Sequence, residues 1–397
     1  ENVKKNNIYK AIMLVILTAT ITFIVTSIVM YNTTESTKIK YVSTDEVGAT
    51  FKMFRNFIEK NYLGTMDEDA MLESAIKGYV AGLDDDYSEY ITKEEMEEYM
   101  QDARGNYVGV GIYITKNTKT NQIVVLMPIK GSPAEAAGIK SGDVITKVDG
   151  TEYNGEQLSE ASKALKSEAG TIAKIEVLRN DTEKLEFEVE RKNIKVSHIE
   201  AKVLENDIGY MKVSTFDEGC YAEFKENWEK LSSQNVKSLI IDLRNNGGGI
   251  VDEALNMADM MVEKDKTLLI TASKNAEEKI NKAEQEKTIN VPIVILVNEG
   301  TASSSEILSA AVRENNENVK IIGTKTYGKG VIQTIFNLSD GSGIKLTTSE
   351  YYTPNHNTIN KEGIAPDIEV ELPEDENIYT VSEKNDTQLQ KAIEVLK

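Results

Sequence analysis

The sequence holds only two histidines, His198 and His356, and one cysteine, Cys220. So small a supply makes a serine–histidine–aspartate arrangement hard to build, and neither histidine sits in a context that suggests a catalytic imidazole. A lone cysteine cannot close an internal disulfide, and no Cys-x-x-Cys or zinc pattern is present, so neither a metal site nor a cofactor is expected. Proline is scarce, six residues in 397, and no low-complexity or repeated segment stands out. Basic residues are outnumbered, 45 Lys and Arg against 65 Asp and Glu, leaving a formal net charge of −20. That balance favours solubility and argues against a nucleic-acid partner, since phosphate binding needs basic patches. The rest is an ordinary globular composition, 40% hydrophobic and 28% charged, at a length suited to two or three domains.

One long uncharged run is present. Residues 11–30 are apolar or Thr/Ser without a charge, about the twenty residues that a bilayer-spanning helix needs. Lys4, Lys5 and Lys10 precede it, so the tail 1–10 should stay cytoplasmic. No small-residue cleavage site follows, and the polar stretch from Tyr31 reads as an exit. An uncleaved signal anchor over 11–31 is expected, with everything after about residue 32 outside the cytoplasm. A cleaved signal peptide is the alternative.

Residues 32–104 read as a linker and an N-terminal helical segment. Val47, Phe51, Phe54, Ile58 and Tyr62 recur at spacings of three and four, a helix period. A second helix is expected over 68–82, and Thr92-Lys-Glu-Glu95 is a capping-box pattern opening a third. Residues 105–192 alternate in short strands, near 107–114, 123–126, 142–150 and 185–190, with brief helices from Pro133 and around Leu158. From 193 to 375 buried apolar runs at 208–213, 238–243, 291–297 and 319–322 are separated by helices at 222–231, 252–262 and 303–313. That order means a mainly parallel sheet in an α/β core. A short strand is read at 267–270, and 273–290 looks like an exposed excursion. Residues 376–397 form a C-terminal helical segment. The fold class is α/β and α+β, multidomain.

The chemistry concentrates in two places. Asn298-Glu-Gly-Thr-Ala-Ser303-Ser-Ser-Glu306 follows a buried run and opens a helix, and Tyr327-Gly-Lys329-Gly-Val-Ile-Gln333 follows shortly after. Together they read as a serine nucleophile at a strand-to-helix turn, served by a lysine base. Taken alone, Ser303-x-x-Glu306 is also a capping box before an apolar helix, and Lys329 alone would pass for a surface lysine. As a base, Lys329 must come down from about 10.4 toward neutrality, which burial can supply. No acid flanks it to hold the charge. Gln333 lies four residues on, on the same side of a strand, where its amide oxygen can accept from the amine without adding a counter-charge. Asp242-Leu-Arg-Asn-Asn-Gly247-Gly-Gly249 follows another buried run, where a glycine turn can aim N–H groups at a developing oxyanion or simply make a tight turn.

The segment 105–192 resembles a PDZ domain, carried by Ser132-Pro-Ala-Glu-Ala-Ala-Gly138-Ile-Lys-Ser-Gly142-Asp143. The resemblance implies that a peptide C-terminus pairs with a sheet edge, its carboxylate held by the loop Gly109, Val110, Gly111 and Ile112. Residues 70–370 as a whole resemble the carboxyl-terminal processing peptidases, or tail-specific proteases. The motifs are Gly78-Tyr-Val-Ala-Gly-Leu-Asp84, the PDZ segment, the glycine loop, Thr301-Ala-Ser-Ser-Ser-Glu306, Thr326-Tyr-Gly-Lys329, Tyr351-Tyr-Thr-Pro354 and Glu362-Gly-Ile-Ala-Pro-Asp367.

That resemblance implies a crotonase-like (ClpP-like) α/β catalytic core over 193–375 with an inserted PDZ domain. It makes Ser303 the nucleophile, Lys329 the general base and Gln333 its orienting partner, with Gly248 and the N–H of Ser304 as oxyanion hole; Ser304, Ser305 and Glu306 otherwise keep structural readings. Three departures stand out: Gly247 where the family has proline, Thr301 and Ser304 in the serine motif, and a Ser303-to-Lys329 separation of 26 positions, one longer than the family's. The expected function is a membrane-anchored serine endopeptidase acting outside the cytoplasm on proteins with free C-terminal tails, its oligomeric state left open. The alternatives are a non-catalytic PDZ scaffold on the outer membrane face and an acyl-CoA enzyme of the crotonase superfamily.

Overall fold

The computed structural model describes residues 44–397, apart from 104, 105, 118, 181, 196, 275, 374, 375, 377 and 380. The tail 1–10 and the expected membrane span 11–31 lie outside the described residues. Among those described, no helix is long and apolar enough to cross a membrane.

The chain divides into two units, residues 1–74 and 75–397. The first contains α1 (Thr44–Asn61) and the opening turns of α2 (Glu68–Ala81). Arg55 ties them, reaching Glu59 one turn on at 3.0 Å and Glu68 at 2.6 Å. Such exposed pairs fix geometry more than they add stability.

The second unit opens with β1 (Glu89–Ile91) and α3 (Lys93–Ala103). The expected capping box is present: Glu95 N–H donates to Thr92 Oγ1 at 3.2 Å, and Thr92 N–H to Glu95 Oε2 at 2.9 Å. Next, β2 (Asn106–Gly109) pairs antiparallel with β9 (Lys192–Lys195), bringing entry and exit of a module side by side. Within that ribbon lie β3 (Ile112–Asn117), β4 (Gln122–Pro128), α4 (Pro133–Ala137), β5 (Val144–Val148), β6 (Thr151–Glu152), α5 (Leu158–Lys166), β7 (Ile172–Arg179) and β8 (Glu183–Glu190). The sheet order is β3-β4-β5-β7-β8, with β6 on β5. Its core is Ile123, Val125, Ile145, Val148, Ile175 and Val177, closed by Ala161 and Leu165 of α5.

The α/β part is a six-stranded sheet of β10 (Ile199–Leu204), β11 (Ile208–Val213), β12 (Ser238–Asp242), β15 (Ile293–Val297), β16 (Val319–Gly323) and β19 (Ile368–Glu369), in that order. β10 runs antiparallel to β11, and every other pairing is parallel. Burial on both faces explains the unbroken apolar runs. Leu239, Ile241, Ile293 and Ile295 join one core with α6 (Cys220–Ser233), α7 (Val251–Asp259) and α8 (Ser304–Asn315). Ile240, Val294 and Leu296 face the other way, onto Leu389, Ala392 and Ile393 of α9 (Thr387–Val395).

A second sheet accompanies the first. β18 (Gly343–Tyr352) pairs with β17 (Val331–Asn337), with β1 and with β13 (Thr267–Ser273), which carries β14 (Lys279–Lys282). Three of these features depart from the expectations above. β1 lies in a region expected to be helical, the β17–β18 hairpin has no counterpart among the expected strands, and the excursion 273–290 returns as β14 with Ala283 and Ile289 buried.

α9 is locked by a buried ionic network. Arg244 bonds Asp242 at 2.5 and 2.9 Å, Asp386 at 2.9 Å and Gln388 at 3.0 Å, and Tyr210 Oη donates to Asp242 at 2.7 Å. Arg244→Met would leave two carboxylates buried without their cation. It is expected to lower the unfolding free energy in urea by roughly 3–5 kcal/mol, whereas an exposed change such as Lys230→Met should stay within about 0.5 kcal/mol.

Candidate active site

Three neighbouring parallel strands deliver the candidate residues from their carboxyl ends, where α/β sheets hold ligands. The loop after β12 carries Gly247 to Gly249, that after β15 carries Ser303, and that after β16 carries Lys329. Ser303, Lys329 and Gln333 line one cleft of about 520 Å³, with Ile250 and Ile332 on its apolar wall.

Ser303 sits at the N-terminus of α8 with φ 55° and ψ −119°, a conformation that costs a non-glycine residue about 1–3 kcal/mol. The carboxylate of Glu306 holds it there. Glu306 is fully buried, and its Oε2 accepts the N–H of Ser303 at 2.8 Å and of Lys329 at 3.0 Å. Its Oε1 accepts Thr326 Oγ1 at 2.5 Å and the N–H of Gly328 at 2.8 Å. Burial pushes the Glu306 pKa up, and these donors pull against it. Three of the four partners are N–H groups, which can only donate, and they favour the ionised form.

The three consecutive serines differ in what their hydroxyls do. Ser304 Oγ donates to Gly249 O and Ser305 Oγ to Asn246 O, each at 2.9 Å, lacing α8 to the glycine loop. Both are fully buried. Ser303 is the one whose side chain opens onto the cleft, and the buried Tyr351 hydroxyl lies within hydrogen-bond reach of it.

Gly248 has φ 100°, and a Cβ there would come within 2.7 Å of Ser303 Cβ and 2.9 Å of Ser304 N. The glycine therefore lies against the serine. Its N–H, however, donates to Asn246 Oδ1 at 2.9 Å, so in this arrangement it is not open to an oxyanion. Ser304 N–H, at the first position of α8, has no carbonyl one turn back to bond. At Gly247 a Cβ would meet nothing, and φ is not positive, which explains how a proline can stand there in the family pattern.

Lys329 is half-buried; burial lowers its pKa, and the positive charge of Lys345 adds to this. Its Nζ rests 4.7 Å from the centre of the Tyr87 ring. Gln333 lies on β17, where Nε2 donates to Thr347 Oγ1 at 3.2 Å and leaves the amide oxygen available. Tyr351, also fully buried, donates its hydroxyl to the carbonyl of Lys329. Sequence patterning did not single out Tyr87, Tyr351 or the bridging role of Glu306. Tyr351 stands within one of the family motifs and Tyr87 just beyond another, which was the available signal.

The four PDZ-loop residues stand apart from this cleft. Val110 O accepts from Ala134 N at 2.9 Å, and Gly111 O from Ile129 N at 2.9 Å and Ser132 Oγ at 3.0 Å. Gly111 has φ 84°, and a Cβ there would overlap Ser132. Among the described residues the N–H groups of Val110 and Gly111 have no acceptor, and Ile112 begins β3.

Gly248→Ala is expected to slow labelling of Ser303 by a fluorophosphonate at least a hundredfold, whereas Gly247→Ala should label within a few-fold of the parent. Equal labelling of the two variants would show that the close approach of Gly248 to Ser303 has no bearing on reactivity.

Residues 207–370 match the profile of Peptidase family S41, residues 108–190 that of the PDZ domain, and residues 15–95 that of the Activating protease CtpB N-terminal domain. The chain is 35% identical to the carboxy-terminal processing protease CtpA of Bacillus subtilis (strain 168) over 317 residues, covering 80% of this chain and 67% of that protein. It is also 35% identical to a probable CtpA-like serine protease of Staphylococcus haemolyticus (strain JCSC1435), over 92% of this chain and 73% of that one. Among solved structures, the photosystem II D1 C-terminal processing protease superposes with a TM-score of 0.56 at 32% identity, over 81% of this chain and 88% of that one. A putative S41 protease from Bacteroides fragilis NCTC 9343 shares the fold, with a TM-score of 0.59 at 17% identity over 84% and 92%. This chain belongs to peptidase family S41, as a C-terminal processing serine peptidase that carries a PDZ domain.

Proposed function

We propose that this chain is a membrane-anchored endopeptidase that cleaves proteins outside the cytoplasm, selecting them by their C-terminal tails and cutting them with Ser303 and Lys329. The observation that carries the reading is the division of labour among the serines. Ser304 and Ser305 bond the glycine loop, while Ser303 shares a cleft with a lysine whose pKa burial lowers.

In this reading Ser303 Oγ attacks the scissile carbonyl as its proton passes to neutral Lys329 Nζ. The ammonium then protonates the leaving amine, and Lys329 activates water to release the acyl group. Gln333, fixed by Thr347, turns its amide oxygen to the amine. The oxyanion falls to Ser304 N–H and to the Gly248 peptide, whose N–H must turn from Asn246 Oδ1 when substrate arrives. The open N–H groups of Val110 and Gly111 suit a peptide carboxylate. The uncharged run 11–31 behind Lys4, Lys5 and Lys10 supplies the anchor. A non-catalytic scaffold would have no use for Ser303, Lys329 and Gln333 lining one cleft.

The test is cleavage of an unfolded protein with a free C-terminal tail. Ser303→Ala should abolish it, while Ser304→Ala and Ser305→Ala should retain measurable activity. Lys329→Ala and Lys329→Arg should each lose a hundredfold or more, and Gln333→Ala less. The base works only when neutral, so the rate should fall on acidification, with a midpoint below lysine's usual ~10.4. His198→Gln and His356→Gln should leave that midpoint in place. Wild-type turnover in Ser303→Ala, or substantial activity in Lys329→Arg, would overturn the mechanism.

A further inference from the structure

The amine of Lys329 rests on a side chain that comes from far earlier in the chain. Tyr87 lies on the turn between α2 and β1, outside the stretch that matches the peptidase profile. Its ring face is 4.7 Å from Nζ. Several contacts hold the turn in place. Tyr87 N–H donates to Asp85 Oδ1 at 3.4 Å, Ser88 Oγ bonds Asp85, and Thr347 N–H donates to Ser88 Oγ at 3.0 Å. β1 then pairs with β18 through Glu89, Tyr90 and Ile91. Thr347 is also the residue that fixes Gln333. The aromatic face and the orienting amide are thus anchored to one residue of β18.

Tyr327, two residues before the base, lies beside the Tyr87 hydroxyl. Burial first, and then Tyr327, pushes the Tyr87 pKa up to about 12, so the ring is a neutral phenol at any working pH. A neutral aromatic face attracts an ammonium and is indifferent to an amine.

We propose, building on the reading of Lys329 as base, that Tyr87 is a positioning residue: its ring face holds the charged amine in the cleft and thereby opposes the neutral form that the reaction needs. The other groups around the amine act on its charge differently. Lys345 of β18 repels it, and is itself paired with Glu89 of β1. Asp217, ahead of α6, lines the same cleft, and Asp85 and Asp86 flank Tyr87. Glu306 meets the backbone of Lys329, Tyr351 its carbonyl, and Tyr327 lies beside Tyr87. Among these, Tyr87 is the group whose ring face Nζ sits over.

The experiment compares the full chain carrying Tyr87→Phe with the same chain carrying pentafluorophenylalanine at 87. The two rings have nearly one shape, but fluorination reverses the charge of the face, so a change between them is not a packing effect. The midpoint of the acid limb of kcat/KM against pH is expected to lie about half a pH unit lower in the fluorinated protein, with thermal unfolding unchanged. Tyr87→Phe should keep the parent midpoint. Coincident acid limbs for the two rings, with Lys329→Arg inactive, would overturn the role of Tyr87 while leaving the base in place. Activity in Lys329→Arg would instead sink the reading on which it rests.

Discussion

The Glu306 carboxylate is the interaction on which the site depends. It is fully buried, and its two oxygens gather the N–H groups of Ser303, Gly328 and Lys329 with the hydroxyl of Thr326. Those groups belong to two loops that follow different strands, β15 and β16. Without a shared acceptor, each buried N–H would cost about 1–3 kcal/mol to leave unbonded. The carboxylate therefore joins the backbone of Ser303 to that of Lys329. It also offsets the positive φ of Ser303 by bonding that residue's N–H. No neutral side chain offers acceptor sites in four directions, which is why an ion sits where burial disfavours one.

A capping box offers a local explanation for Glu306, and that explanation is incomplete. Its bonds to Thr326, Gly328 and Lys329 reach a second loop, beyond anything that a helix-start pattern encodes. The same limit applies elsewhere. Ser303, Lys329 and the glycine loop were legible because each follows a buried run that sequence patterning identifies, and because their residue types are rare in combination. β1 was not, since a three-residue strand has no period and its partner lies far along the chain, with Glu89 opposite Lys345. Tyr87, on the turn that leads into β1, was hidden for the same reason. The β17–β18 hairpin escaped for another: its residues are mostly half-buried on both faces, so the alternation that marks a one-sided strand is blurred.

In the glycine loop, shape and hydrogen bonding make separate demands on one residue. Gly248 is required by shape, since its φ and its approach to Ser303 admit no Cβ. Its N–H is nonetheless occupied by Asn246, whose own side chain also reaches Val213 O at 2.9 Å and whose carbonyl accepts from Ala302 N and Ser305 Oγ. Asn246 thus fastens the loop to β11 on one side and to the start of α8 on the other. The turn is built to be rigid before it is built to donate. Ser304 adds a further tie, its hydroxyl bonding the loop from the first turn of α8.

Rigidity around a lysine raises the question of charge. A buried carboxylate beside a lysine would ordinarily hold the ammonium and spoil the base. Here Glu306 is bonded to three backbone N–H groups and a hydroxyl, so its charge is satisfied without Nζ. Lys345 adds like charge from the cleft, and burial adds its own bias against the ion. Against these stands the Tyr87 face, which favours the ion without fixing a permanent counter-charge. In the proposed mechanism a ring suits that position because it would stabilise the ammonium formed when Ser303 gives up its proton, yet release the amine once the proton moves on. A carboxylate at the same place would bind the ammonium too tightly for turnover, and an aliphatic side chain would leave it unsupported at the moment it is charged.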